Sequence, residues 1–202
     1  FEDTLKKDFP GIEIVGSVEN QDKADTAFTQ ANDFMASNPD LGGIYVTAGG
    51  PFGAAKAVED AGKTGVVKVI SFDFVDETME YVQKGVIYGT IGQDPFAQGH
   101  DPAIRLFNYL VGGTVPECAR MLTRADLVTK DNIDQFWKPS GAEKPAANEQ
   151  PAFDSACQPA DEATVKPVDK KSDKPLKIAV LGLENNPFWI PVKEGALKAA
   201  EE

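Results

Sequence analysis

Between Val66 and Gly99 the chain reads VVKVISFDFVDETMEYVQKGVIYGTIGQDPFAQG, and two short apolar runs inside this stretch restrict the fold more than any other feature. Val66–Phe72 is rich in β-branched residues and stops at Asp73; Val86–Ile91 is built the same way and stops at Gln93-Asp94-Pro95. Both have the pattern of buried strands. Glu77–Lys84 between them has helical spacing, so the unit is βαβ, and strands joined by a crossover helix run parallel. In open α/β sheets ligands lie beyond the carboxyl ends of the strands, where Asp73 and Gln93 fall.

The preceding chain repeats this alternation. Phe1, Leu5 and Phe9 are spaced as on a helix that Pro10-Gly11 ends, and Ile12–Val18 reads as a strand. Over Asp22–Ser37 the residues Ala24, Ala27, Phe28, Ala31, Phe34 and Met35 make a helical stripe, with Asp22 as N-cap and Asn38-Pro39 as the stop. Leu41–Thr47 is the next strand, Phe52–Ala61 the next helix and Gly62 its C-cap. The sum is an α/β fold with a doubly wound parallel sheet, covered by helices on both faces. Pro95–Val111 then reads as one amphipathic helix with Phe96, Ala103, Leu106, Phe107 and Leu110 on its apolar face and a kink at Asp101-Pro102. From Lys138 to Lys174 the composition turns to Pro, Ala, Lys, Glu, Asp and Ser without apolar periodicity, which predicts a flexible linker. Leu176–Leu183 and Pro191–Ala200 follow as one detached βα unit.

The ordered series VISFD, a helix ending in Gln83-Lys84-Gly85, and YGTIGQDPFAQG resembles the C-terminal lobe of the type 1 periplasmic binding proteins, the ribose- and galactose-binding group that serves sugar ABC transporters. The likeness runs from about Ile12 to Phe136 and returns at Lys177–Glu202, where KIAVLGLENNPFWIPVKEGALKAAEE looks like the first strand and helix of the same family. The resemblance implies three regions. Residues 1–137 would be a C-terminal lobe, with 94–112 as a helix crossing to the other lobe through a hinge near Gly92, and a strand around Met121–Val128 crossing back. Residues 138–175 would be the linker, and 176–202 the head of a second binding domain. A tandem protein and a circular permutation both put a head after a tail; the long linker favours the tandem. The chain starts at Phe1 inside a helical pattern and is read as a fragment whose secretion signal lies upstream.

The function implied is an extracytoplasmic solute-binding protein at the periplasmic or extracellular face of the envelope. It would bind a monosaccharide or related polyol, deliver it to the membrane permease of an ABC-type importer, and catalyse nothing. A ligand-sensing domain of a transcription regulator or membrane sensor on the same fold is the alternative. In the family, the Asp after the strand and the Gln at the crossing hydrogen-bond sugar hydroxyls, and they match Asp73 and Gln93. Many relatives place Asn or Asp where this chain has Thr47 and Ala48, which leaves the sugar's identity open.

Charge narrows the partners. The formal net charge is -12 and the pI about 4.6, with no Lys/Arg stripe, which argues against nucleic acid. No apolar run approaches the roughly 20 residues of a membrane helix. Thr47-Ala48-Gly49-Gly50-Pro51 ends a strand and opens a helix, but it lacks G-x-G-x-x-G and a P-loop Lys, so no nucleotide or other cofactor is expected. Cys118 and Cys157 have no spacing signature; their pairing stays open, and with the single His100 they are too few for structural zinc.

Phe72 would cover the apolar face of a pyranose beside Asp73, whose carboxylate accepts two hydroxyls, while Gln93 both donates and accepts. Asp76 is the better placed cap for the following helix. Asn20 to Asp22 read as a cap with a weaker claim as ligands. In the second unit Asn186, Phe188 and Trp189 follow a strand as the family's sugar clamp does, and would serve the second domain's ligand. His100, beside Asp101, reads as a surface or interlobe residue, since no Ser or Cys stands in a recognisable triad relation to it.

Overall fold

The apolar runs and their intervening stripes fold as a layered α/β unit in this computed structural model, which describes residues 1–115, 121–139, 166–169, 172, 176–181 and 187–202. In chain order the elements are α1 (Glu2–Asp8), α2 (Ala24–Ser37), β1 (Gly43–Tyr45), α3 (Pro51–Asp60), β2 (Lys68–Phe72), α4 (Asp76–Lys84), β3 (Ile87–Gly92), α5 (Pro95–Gly112), β4 (Asp126–Val128), a short 3-10 turn (Ile133–Gln135) and α6 (Trp189–Glu201). The sheet order is β1-β2-β3-β4. β1, β2 and β3 are parallel, as βαβ crossovers require, and β4 is antiparallel to β3, pairing Thr90 with Val128 and Gly92 with Asp126.

One face of the sheet carries the core. Val69, Ser71, Ile87, Thr90 and Val128 point into it, and Ala27, Ala31, Met35, Ala54, Ala55, Val58, Met79 and Val82 from α2, α3 and α4 close over them. Small residues let the helices approach: a Cβ on Gly53 of α3 would collide with the Ala24 carbonyl at the start of α2. On the other face the Tyr45 ring meets Phe1 at 4.4 Å and Phe72 at 5.9 Å in tilted contacts, while Ile70, Tyr88 and Leu127 are 36%, 58% and 59% exposed. Among the described residues, the helices that close over the core lie on one face.

Several boundaries differ from the sequence reading. Ile12–Val18 makes no strand: it runs beside α2, with Gly16 against the Phe34 ring and Gln30 Nε2 donating to the Glu19 carbonyl at 2.9 Å. The fourth strand of the sheet is instead β4. Leu176–Leu181 is likewise not a strand, and Leu176, Ile178, Val180 and Leu181 are exposed. Asp22 does not cap α2; the N-cap is Lys23. Asp76 does not cap α4 either, and accepts from Trp137 Nε1 at 2.7 Å.

Helix α5 departs most from its predicted face. Phe96, Leu106 and Leu110 are exposed, whereas Gly99, His100, Ile104 and Asn108 are buried. His100, Ile104 and Asn108 form an i, i+4 ridge that, with the adjacent Gly99, receives the C-terminal part of the chain. A Cβ on Gly99 would strike the Val192 carbonyl and one on Gly195 the Phe96 carbonyl, so α5 and α6 touch backbone to backbone. Asn108 Nδ2 donates to the Lys166 carbonyl at 2.9 Å and its Oδ1 accepts from Val168 N at 2.8 Å. Most of 138–175, including Cys157, lies outside the described residues, as do Cys118 and Asn186.

Candidate functional site

Adjacent parallel strands bring the residues after their carboxyl ends together. Phe72 of β2 is in register with Ile91 of β3. One residue on, Asp73 N donates to the Ile91 carbonyl at 2.9 Å and Thr90 Oγ1 donates to the Asp73 carbonyl at 2.9 Å. These bonds hold Asp73 at φ 71, a left-handed conformation that non-glycine residues adopt at a cost and that Asp tolerates better than most. The turn sends the carboxylate sideways to Gln93, whose Nε2 donates to Asp73 Oδ1 at 2.8 Å. Gln98 Nε2 in turn grips the Gln93 carbonyl at 2.8 Å, and Asp94, at φ 50, caps α5 by accepting from Ala97 N at 3.1 Å.

The pair leaves open valences. Among the described residues no hydrogen bond takes Asp73 Oδ2 or Gln93 Oε1, so two acceptors and an amide hydrogen remain beside each other. Burial pushes the Asp73 carboxyl above the ordinary carboxylate range; the Gln93 bond opposes this and the Asp22 carboxylate adds to it. A half-buried acceptor held out of water in this way binds hydroxyl donors more strongly than an exposed one.

Thr47 is exposed at the end of β1, and Phe72 is engaged with Tyr45. Phe188 and Trp189 make an edge-on pair, centroids 5.4 Å apart at 88°, where α6 begins. Asp73 and Gln93 are therefore joined directly, while the aromatic pair sits on a helix seated against α5. The sequence reading gave little weight to Asn20 and Asp22 at this edge: Asn20 Nδ2 donates to the Gly49 carbonyl at 2.7 Å and Asp22 Oδ1 accepts from Gly49 N at 2.6 Å. The available signal was an Asn-x-Asp just before α2 and a Gly-Gly turn just before α3. His100 is interhelical: Nδ1 meets Asp101 Oδ1 at 2.9 Å, Nε2 meets Glu202 Oε2 at 3.3 Å, and Phe96 stacks on its ring. Among the described residues no group of three metal-ligating side chains occurs.

The carboxylate of Asp73 and the amide of Gln93 thus lie together beyond the carboxyl ends of parallel strands, the position where open α/β sheets hold ligands. The chain belongs to the periplasmic binding protein domain family, whose model matches residues 1–114. A xylose/arabinose-binding protein of Sulfolobus acidocaldarius is 27% identical over 109 residues, which are 51% of this chain and 27% of that protein. The sugar-binding protein of a Bacillus halodurans sugar ABC transporter superposes with a TM-score of 0.60 at 27% identity, over 68% of this chain and 50% of that one. An ABC transporter solute-binding protein of Agrobacterium vitis with bound D-fucose gives 0.60 at 30% identity, over 67% and 46%. The chain spans about half the length of these solved relatives.

Proposed function

We propose that this chain is the ligand-contacting lobe of an extracytoplasmic receptor that captures a monosaccharide or related polyol for an ABC-type importer, without catalysis. The observation that carries the reading is the Gln93–Asp73 bond at 2.8 Å, which aligns two polar groups at neighbouring strand ends with hydrogen-bonding capacity to spare. Sugar-binding relatives of the same family support the ligand class. Closure over the sugar would hinge near Gly92, and residues 176–202 would be the head of a second domain after a linker. Calorimetry with D-arabinose, D-fucose and D-tagatose tests it. Losing a charge-assisted bond in a closed site costs roughly 1.5–3 kcal/mol, so Asp73→Ala weakens binding at least about tenfold. Unchanged affinity in that variant rejects the assignment.

A further inference from the structure

We propose that Asn20 and Asp22 are positioning residues of this site: holding Gly49 by its carbonyl and its amide, they lock the turn after β1 beside the strand end that carries Asp73. The inference rests on the binding function proposed above for Asp73 and Gln93. Gln21 and Asp22 both have positive φ, 55 and 56, although neither is glycine. Two consecutive left-handed residues persist only where their surroundings over-determine them. Here the constraints are visible. Asn20 is 9% exposed and donates to the Gly49 carbonyl, Asp22 accepts from the Gly49 amide, and a Cβ on Gly50, at φ 79, would lie 2.6 Å from Ala24 N. The Asn20–Asp22 loop, the Gly49-Gly50 turn and the start of α2 are thus interlocked.

The lock has an electrostatic side. Asp22 adds its charge to the burial that already disfavours ionised Asp73. Asp76 and Asp94, at the starts of α4 and α5, accept from the neutral donors Trp137 Nε1 and Ala97 N, and Gln93 is Asp73's neutral partner. Asp22 therefore orients the turn through the Gly49 amide, and its charge adds, after burial, to what raises the Asp73 carboxyl.

Two substitutions separate these roles. Asp22→Asn keeps an oxygen for the Gly49 amide and removes the charge; Asp22→Ala removes both. In the ligand-free full chain, NMR should show the Asp73 carboxyl carbon titrating at lower pH in both variants. Gly49 amide exchange should accelerate at least about tenfold in Asp22→Ala and stay within about threefold of the parent in Asp22→Asn. With D-fucose as probe, Asp22→Asn should hold its affinity to more acid pH, while Asp22→Ala binds about tenfold more weakly at neutral pH. Unchanged Gly49 exchange in Asp22→Ala, or an unmoved Asp73 titration in Asp22→Asn, overturns the proposal. Failure of the parent chain to bind any of the three sugars overturns the binding function instead, and the ligand-free measurements still decide the positioning role.

Discussion

Asp73 illustrates how a binding group works against the fold that holds it. Burial and the Asp22 charge raise its folded-state pKa above the unfolded value. The folded protein then binds this proton more tightly than the unfolded chain, so stability falls as pH rises from the unfolded pKa through the folded one. Asp73→Asn, whose Oδ1 still accepts from Gln93, should raise the melting temperature at neutral pH, with the gain fading below the ordinary carboxylate range. A melting series across pH checks the sign, and a gain confined to acid pH would contradict it. Thr78 offers a second test: its hydroxyl is buried and has no hydrogen-bond partner among the described residues. Replacing an unsatisfied hydroxyl by a methyl removes a desolvation cost, so Thr78→Val should stabilise by about 1 kcal/mol in urea unfolding.

At the scale of elements, the sequence was most legible where an apolar run had a partner on both sides. Lys68–Phe72 forms within the predicted run and Ile87–Gly92 ends one residue past its run, and the Asp73–Gln93 pairing follows from their register. Ile12–Val18 carries an equally good strand pattern and makes no ladder, and Ile12, Val15 and Val18 are exposed, because an apolar run states a preference and its partners decide whether a strand forms. The face of α5 was misread for a related reason. Counting apolar side chains favoured Phe96, Leu106 and Leu110, yet the contact is made through Gly99 and Gly195, which contribute nothing to an apolar stripe. Their value lies in close approach, which only the partner helix reveals. Gly195→Leu should therefore unseat α6, and hydrogen exchange of the Ala196–Ala200 amides should accelerate while those of β2 do not. Equal protection in variant and parent would show that the crossing tolerates a side chain.

At the scale of the whole molecule, the C-terminal segment docks by its helix and not by its strand. Ile178, Val180 and Leu181 are exposed outside any ladder, whereas Val67 and Val69 are fully buried. Amides of 178–181 should exchange far faster than those of 67–70, in line with a domain head separated from its own sheet; protection equal to that of β2 would favour a permuted domain instead. The sheet face that carries Ile70, Tyr88 and Leu127 has a different consequence, in the colloidal behaviour of the chain. Ile70, Tyr88 and Leu127 form an apolar surface on a molecule of net charge -12. In dilute buffer, mutual repulsion keeps two such surfaces apart. The Debye length shrinks from about 10 Å at 0.1 M to about 3 Å at 1 M salt, and the barrier shrinks with it. Light scattering should then show a second virial coefficient that falls toward attraction as salt is added, so that low ionic strength, more than low temperature, keeps concentrated solutions of this chain monodisperse.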